Sequence, residues 1–419
     1  MISFDPPKPI VNMQQALKMV AENMMRPVSR YFDEHDQEIP WDYINFVHMG
    51  MGATARSFSP APENGESKNG NGKSGRPSMH YQNLVYMIEM LAWGDVGIYL
   101  CTPGGGLGAA AIEATGTPEQ KARFLARFRA EKPAFGAMAM TEPQAGSDTS
   151  AIRTRAVLDK ESNQWVLSGE KIFVTGGKKS LVDTNGLVVV WATLDPNAGR
   201  AGMRPFVVEA GTEGIRVEKT EHKMGIRASD TATLVLQDCR IPYENILGSP
   251  EVVVRNDNEA GFKGAMKTFD ATRPLVSASA IGVARATVEL LKDLLTAQGI
   301  EIRYGLPRQK LTAIERDVID MEVMLEAAWL MTIKAAWMAD NGKPNPLEAS
   351  MSKVKAGEIV TKITQKAVEM MGPLGYSQDF LLEKWFRDAK ISDIYEGTGQ
   401  INRLIVARHI LGYSGRELR

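Results

Sequence analysis

The chain has 419 residues, too many for one small core, and this length points to two or three domains or layers. Lys and Arg number 49 against 50 Asp and Glu, a net charge of −1, so the composition carries no electrostatic footprint for nucleic acid or an anionic membrane. Hydrophobic content of 44% is ordinary for a globular protein, and the two cysteines, Cys101 and Cys239, form neither a metal-spaced cluster nor a disulfide framework, as suits a reducing compartment.

The opening residues Met1-Ile2-Ser3-Phe4-Asp5-Pro6-Pro7 have neither the basic-then-apolar pattern of a signal peptide nor the Arg-rich character of a transit peptide. No apolar run approaches membrane-spanning length, so a cytoplasmic protein without membrane or nucleic-acid partners is expected. From Val11 to Tyr31 the pattern is helical, with Leu17, Val20 and Met24 on one face and Pro27 ending or kinking it. Residues 59–78 turn to Pro, Gly, Asn, Ser and Lys, which bury too little apolar surface to order themselves, and a surface loop is expected there. Helix returns from Tyr81 to about Ala92. The run Pro103-Gly104-Gly105-Gly106-Leu107-Gly108 follows no strand and precedes no P-loop lysine, so it reads as a tight helix connection lining a pocket rather than a nucleotide loop. Thr117-Pro118-Glu119-Gln120 has the form of a helix start: Thr117 caps, Pro118 comes first and Gln120 stands three residues after the cap.

Between Phe135 and Gly248 the period shortens to alternation. Gln164 to Leu167, then Ser168-Gly169, then Lys171 to Thr175 reads as a hairpin; Leu187 to Ala192, Pro205 to Glu209 and Thr233 to Leu236 are further short strands. Beyond Asn258 the helical period returns, through Ile314, Val318, Met321 and Leu325 and again from Ile359 to Met371, with breaks at Pro307, Pro344 to Pro346 and Gly372-Pro373. The fold class is α+β: an N-terminal helical domain over residues 1–134, a central β-barrel or sandwich over 135–250, and a C-terminal four-helix bundle over 251–419.

Near the end of the chain, Tyr395-Glu396-Gly397-Thr398 separates an amphipathic charged segment, Leu382 to Lys390, from a second helical pattern, Gln400 to Arg408. A carboxylate at such a junction suits helix capping. From this stretch alone capping is the favoured reading; the alternative is a general base at the mouth of a cleft, where Gly397 lets backbone approach a ligand and poor hydration raises the carboxyl pKa.

Together with Met140-Thr141-Glu142-Pro143-Gln144-Ala145-Gly146-Ser147-Asp148, this stretch resembles the acyl-CoA dehydrogenase family, over a region from about Tyr86 to the end. The resemblance implies a homotetrameric or homodimeric FAD enzyme of β-oxidation that removes the α-proton and β-hydride of an acyl-CoA thioester and passes electrons to an electron-transferring flavoprotein. It implies Glu396 as the base. It also implies cofactor contacts from Met138, Met140, Thr141, Ser147, Phe173, Thr175, Thr398 and Gln400, with Thr175 near flavin N5 and Phe173 packed on the ring. Ser147, Asp270, Arg273, Tyr395, Gly397 and Arg408 are implied substrate contacts, and no metal is implied. The Glu396 amide is implied as a donor to the thioester oxygen, in the manner of an oxyanion hole. Arg273 is expected at a helix start before Pro274. Thr272 occupies the position where some relatives carry the base as Glu, which leaves Glu396 as the matched candidate.

Two departures stand out. Tyr304-Gly305-Leu306-Pro307 fits the family pattern, but Glu301 occupies a customary flavin-pyrophosphate Arg position, with Arg303 near enough to compensate; Glu369 replaces a customary Gln and Pro373 a Gly. In relatives both segments serve a neighbouring subunit's cofactor, where carboxylates repel a pyrophosphate. These departures keep open one subunit of a heteromeric dehydrogenase, and an acyl-CoA oxidase on the same scaffold is a further alternative. Pocket depth around Tyr99 to Leu107 is expected to set the acyl chain length.

Overall fold

The computed structural model describes residues 6–36, 38–51, 79–252, 260–413 and 417, so the loop expected at 59–78 lies outside the described residues. Helix α1 (Lys8–Val20) runs through a π turn (Ala21–Met25) and a 3-10 turn (Arg26–Val28) into α2 (Ser29–Glu34). Pro27 sits in the 3-10 turn, where a missing N–H and a bulky ring break the regular i→i−4 ladder without ending the helical run. After α3 (Trp41–Met51), α4 (His80–Tyr99) bends at Asp95, whose backbone is non-helical at φ −163°, ψ 121°. The glycine run leads into α5 (Gly106–Thr115). A Cβ on Gly108 would stand 2.8 Å from the Ala137 carbonyl, so the glycine serves close packing of α5 on the first strand. At α6 (Pro118–Leu125) the expected capping box forms, with Thr117 Oγ1 accepting from Gln120 N (3.3 Å) and Gln120 Oε1 from Thr117 N (3.0 Å).

Seven strands make one curled sheet: β1 (Gly136–Ala139), β2 (Arg155–Asp159), β3 (Gln164–Thr175), β4 (Leu187–Thr193), β5 (Met203–Glu209), β6 (Ile215–Thr220) and β7 (Thr231–Pro242). β4 lies parallel to β1 and antiparallel to β5, and meets β2 only at Arg155–Thr193; β2–β3, β3–β7 and β7–β6 pair antiparallel. The hairpin expected inside 164–175 is not there. β3 runs unbroken through Ser168-Gly169, and the hairpin lies one strand earlier, between β2 and β3, with Asn163 at φ +54° in the turn. Gly169 marks a bulge against β7, where a Cβ would lie 2.5 Å from Thr154 Oγ1; close approach, not chain reversal, explains it.

The C-terminal part comprises α7 (Ala260–Ala297), α8 (Ala313–Asp340), α9 (Pro346–Met371), the short α10 (Pro373–Tyr376), α11 (Leu382–Ala389) with a 3-10 turn at Lys390–Asp393, and α12 (Gly399–Leu411). Pro274 lies inside α7, so Arg273 is not at a helix start: the helix begins more than three turns earlier and tolerates the proline. Helices α7, α8, α9 and α12 pack as a bundle, and α4 joins their core. Val85, Ile88 and Leu91 of α4 share one apolar cluster with Ala278, Ile281 and Leu291 of α7, Val318 of α8 and Ile359 of α9. Leu167, Val188, Val190, Phe206 and Leu234 fill the separate core of the sheet.

One stretch departs from the reading of apolar runs. Phe269–Ala297 is long and apolar enough to cross a membrane, yet 78% of its most apolar window is buried inside the protein, as the central helix of the bundle requires. Polar burial also orders this region. Lys384 of α11 donates to Asp95 at the α4 bend and to Asp388, both at 2.7 Å, and Asp388 in turn accepts the Ile226 amide at 2.5 Å. This fully desolvated network fixes α11 against both the helical and the β part, and α11 leads directly into the Glu396 turn.

Candidate active site

One edge of the sheet gathers the Met140-Thr141 and Phe173-Thr175 segments. Ile172 N donates to Thr141 O at 2.9 Å, and Lys171 Nζ donates to Met140 O at 3.0 Å and to Glu142 Oε1 at 2.7 Å. Glu142 and Lys171 are both buried, and the Glu142 carboxylate also accepts from Arg153 N (2.6 Å), Thr154 N (3.0 Å) and Gln144 Nε2 (2.7 Å). The loop after β1 is thus pinned to β3 by a satisfied ion pair. Between Lys171 and Val174 the ladder slips, and there Phe173 takes φ +58° and leaves its ring 61% exposed. A left-handed Phe at a bulge is costly backbone, and bulges of this kind re-aim a side chain out of the sheet. Thr141 and Thr175 are half-buried, with no hydroxyl partner among the described residues. Met140 is buried with Ala145, Ile152, Trp191 and Met203, Met138 packs partly against the same cluster, and Ser147 is exposed.

Phe269 of α7 packs against the Met140 cluster, and one turn later Thr272 and Arg273 reach the other half of the site. Thr272 Oγ1 donates to Glu396 Oε2 at 2.6 Å. Arg273 Nη1 pairs with Asp270 (2.7 Å) and reaches Ser350 Oγ (3.4 Å), while its buried Nε has no partner among the described residues. Glu396 does not cap α12. Thr398 does, accepting from Ile401 N at 3.3 Å, which leaves the Glu396 carboxylate to face α7. Glu396 itself takes φ +52° and Gly397 φ +94°. Asn402 Nδ2 holds this turn by donating to Gly397 O (2.8 Å) and Thr398 O (3.1 Å). Tyr395 OH lies 3.4 Å from Ser279 Oγ. Gln400 is exposed on the first turn of α12, and the half-buried Arg408 lies two turns further along, its Nε without a partner among the described residues.

Burial pushes the Glu396 carboxyl above the usual carboxylate range; the Thr272 hydrogen bond and the Lys353 and Arg273 cations pull the other way without cancelling it. The Asp270 carboxyl is raised by burial too, against the pull of Arg273 and His409. Desolvation lifts the Tyr395 phenol to about 12. Tyr99, at the end of α4, is pushed up first by burial and then by the nearby Tyr395 and Glu396, so the end of α4 lies near the Glu396 turn.

Sequence reasoning passed over Lys171, Asn402 and Lys353, and it quoted Glu142 only as part of a motif. Lys171 carries a readable signal: it is a charge at an inward position of an alternating strand. Asn402 lies on a helix whose polar residues look like solvent-facing ones until the fold closes.

A partly desolvated carboxylate on left-handed backbone and a sheet edge with an exposed aromatic are features of an enzyme site. The chain belongs to the acyl-CoA dehydrogenase family: residues 137–239 match the model "Acyl-CoA dehydrogenase, middle domain" and residues 259–411 "Acyl-CoA dehydrogenase, C-terminal domain". It is 38% identical to the acryloyl-CoA reductase (NADH) of Anaerotignum propionicum over 72% of each chain. Butyryl-CoA dehydrogenase from Megasphaera elsdenii superposes with a TM-score of 0.81 at 29% identity, covering 98% of this chain and 100% of that one. A chain in the structure described as the electron transferring flavoprotein of Acidaminococcus fermentans gives a TM-score of 0.81 at 31% identity, with coverage of 98% and 100%.

The protein is therefore an FAD-dependent oxidoreductase that dehydrogenates acyl-CoA. The sheet edge fits an isoalloxazine: two half-buried hydroxyls without partners among the described residues, Thr141 and Thr175, flank an exposed aromatic, Phe173. The far-end positions are different in kind. Glu301 is exposed, Arg303 is committed to Glu315 through Nε (2.6 Å) and Nη2 (2.8 Å), and Glu369 is held by Lys366 at 3.0 Å.

Proposed function

We propose that Glu396 abstracts the α-proton of an acyl-CoA thioester to give a trans-2-enoyl-CoA, with electrons leaving through an electron-transferring flavoprotein. The observation that carries this reading is the Glu396 carboxylate itself, raised by burial, hydrogen-bonded to Thr272 and held on left-handed backbone. Thr141, Phe173 and Thr175 would hold FAD, which when bound would supply the acceptor for the β-hydride. Every other requirement falls to the chain. A carboxylate is a weak base in water, and desolvation brings it towards the pH at which it works. Positive φ at Glu396 and Gly397 turns the local amides away from helix bonding, which suits an amide donor to the thioester oxygen. Arg273, with one unpartnered buried N–H, favours the anionic part of the ligand. The proton taken by Glu396 resides on a carboxyl that burial already favours in its neutral form.

Short acyl chains are the class that the names of the similar proteins, butyryl-CoA dehydrogenase and acryloyl-CoA reductase, support. The electron-transferring flavoprotein partner is supported by the family and by the Acidaminococcus fermentans structure. A cytoplasmic, homotetrameric or homodimeric enzyme is the simplest form. A heteromeric assembly is the second reading, favoured by Glu301 and Glu369 and by the engagement of Arg303 with Glu315.

The test is to purify the chain expressed alone, measure bound FAD and oligomeric mass, and add acyl-CoAs of increasing length anaerobically. Flavin that bleaches with short thioesters, and not in Glu396→Gln, is the expected result. Bleaching retained in Glu396→Gln would remove Glu396 as the base, and colourless protein would favour the heteromer.

A further inference from the structure

Lys353 of α9 is 1% exposed, and its Nζ donates to the carbonyl of Ser392 at 2.7 Å. Ser392 belongs to the 3-10 turn Lys390–Asp393, which ends the helical run before the base. The amides that follow, Ile394 and Tyr395, both turn back to Ile391 O (2.8 and 3.1 Å), leaving the Ser392 carbonyl to the lysine. Such a helix-end carbonyl needs a donor, and a cation there also faces the negative end of the turn's dipole. The fit is close: a Cβ on Gly357, one turn along α9, would lie 2.9 Å from the same oxygen. Lys353 Nζ stands 5.8 Å from the centroid of the Tyr395 ring, so the ammonium lies beside the residue that precedes the base.

We infer that Lys353 is the positioning residue of the base: its buried ammonium ties down the turn that delivers Glu396 and sets a positive charge at the segment that carries it. The inference rests on the reading of Glu396 as the base. Backbone at φ +52° persists only when its surroundings over-determine it. Downstream, Thr398 and Asn402 hold the segment; upstream, Lys353 does. The groups that act on Glu396 are Thr272 and Arg273 from α7, Lys353 from α9, Tyr99 from α4 and Tyr395 from its own turn; behind them, Asp270 of α7 acts on Arg273, His409 of α12 on Asp270, and Asp393 on Lys353. Lys353 and Arg273 are the cations that pull on Glu396, and Arg273 is already paired with Asp270. Burial lowers the Lys353 ammonium to about 8, with Glu396 and Asp393 pulling upward and Arg273 downward.

The experiment has two arms on the flavin-loaded protein. In the first, kcat/KM is followed against pH for Lys353→Met and Lys353→Gln. The acidic limb, which reports the free enzyme's base, is expected to move up by about one pH unit in both. Lys353→Gln, which still has a donor for Ser392 O, should retain more of kcat than Lys353→Met. In the second arm, lysine 13Cε resonances are titrated in the wild type and in Glu396→Gln. Removing the carboxylate should lower the Lys353 titration, since the coupling is reciprocal. Lys171, also lowered to about 8 but held by Glu142, should not move and serves as the internal control. An acidic limb unchanged in Lys353→Met, or a Lys353 signal that titrates alike with and without the Glu396 charge, overturns the inference. If Lys353→Met does not fold, the second arm decides alone. A Lys353 signal that responds while Glu396→Gln stays fully active supports the coupling and removes Glu396 as the base.

Discussion

Thr272→Val removes one atom's worth of chemistry from the site and little else. Valine keeps the shape of threonine, and Thr272 is 8% exposed, so water cannot readily replace the lost donor. The hydrogen bond removed is the 2.6 Å contact from Oγ1 to Glu396 Oε2, made to the charged form of the carboxylate. A bond of this type contributes about 1.5–3 kcal/mol, which at 1.36 kcal/mol per pH unit moves the base upward by about one to two units. The acidic limb of kcat/KM should shift by that amount, costing roughly tenfold in rate per unit on the acid side and little on the alkaline plateau. Stability follows from the same sign. Burial already raises the folded carboxyl above its unfolded value, so the folded state holds the proton longer, and stability falls as pH rises from the unfolded to the folded pKa. Thr272→Val widens that window and should melt lower than the wild type at pH 8 but not at pH 4. Parallel pH–rate profiles and melting curves check both statements. A variant with a wild-type acidic limb would show that Thr272 does not govern the base.

Three other perturbations test separate parts of the structure. Glu396→Gln should lose about three orders of magnitude in kcat yet melt above the wild type at pH 8, because glutamine fills the same space without a desolvated charge; a lower melting point there would contradict the assigned cause of the carboxyl's shift. Lys171→Met strands the buried Glu142 carboxylate and should cost about 3–5 kcal/mol in denaturant unfolding; a loss below about 1 kcal/mol would mean that the pair does not anchor the sheet edge. Gly282→Ala places a Cβ 2.2 Å from the Glu89 carbonyl and should cost about 1–3 kcal/mol by forcing α7 away from α4, with activity per folded molecule unchanged; wild-type stability would show that the two helices are not held at backbone distance.

The legibility of these features in the sequence followed their range. The Thr117 cap, the strands at 187–192 and 205–209 and the long C-terminal helices depend on neighbours a few residues apart, and they emerged from spacing alone. Ser168-Gly169 misled because glycine has two uses; here the constraint came from Thr154, fifteen residues away in the chain and touching only after the sheet forms. Pro274 misled similarly, since a proline that would begin an isolated helix is carried through by the packing of α7 on α4 and α9. At the site, Glu396 was visible through its glycine and its place between two helical patterns. Its partners were not: Thr272 lies 124 residues upstream, and Ser392 meets Lys353 across 39. No periodicity records a contact that only the tertiary fold creates.

The turn carrying Glu396 also explains why the base does not depend on a single strong interaction. It lies between the end of one helical run and the start of another, and each end is tied separately, by Lys353 to the Ser392 carbonyl and by Thr398 and Asn402 to the first turn of α12. Neither tie touches the carboxylate. Thr272 does, from a third element, and is the direct hydrogen-bond donor to Glu396 in this arrangement. Apart from Lys353, position and proton affinity are therefore set by different residues. A change that loosens the turn should lower the rate at every pH, whereas a change that alters the carboxylate's neighbours should move the pH at which the rate falls. Lys353 belongs to both groups, by its hydrogen bond to the first and by its charge to the second. Its methionine and glutamine variants separate the two contributions, because only one of them keeps a donor for the carbonyl and neither keeps the charge.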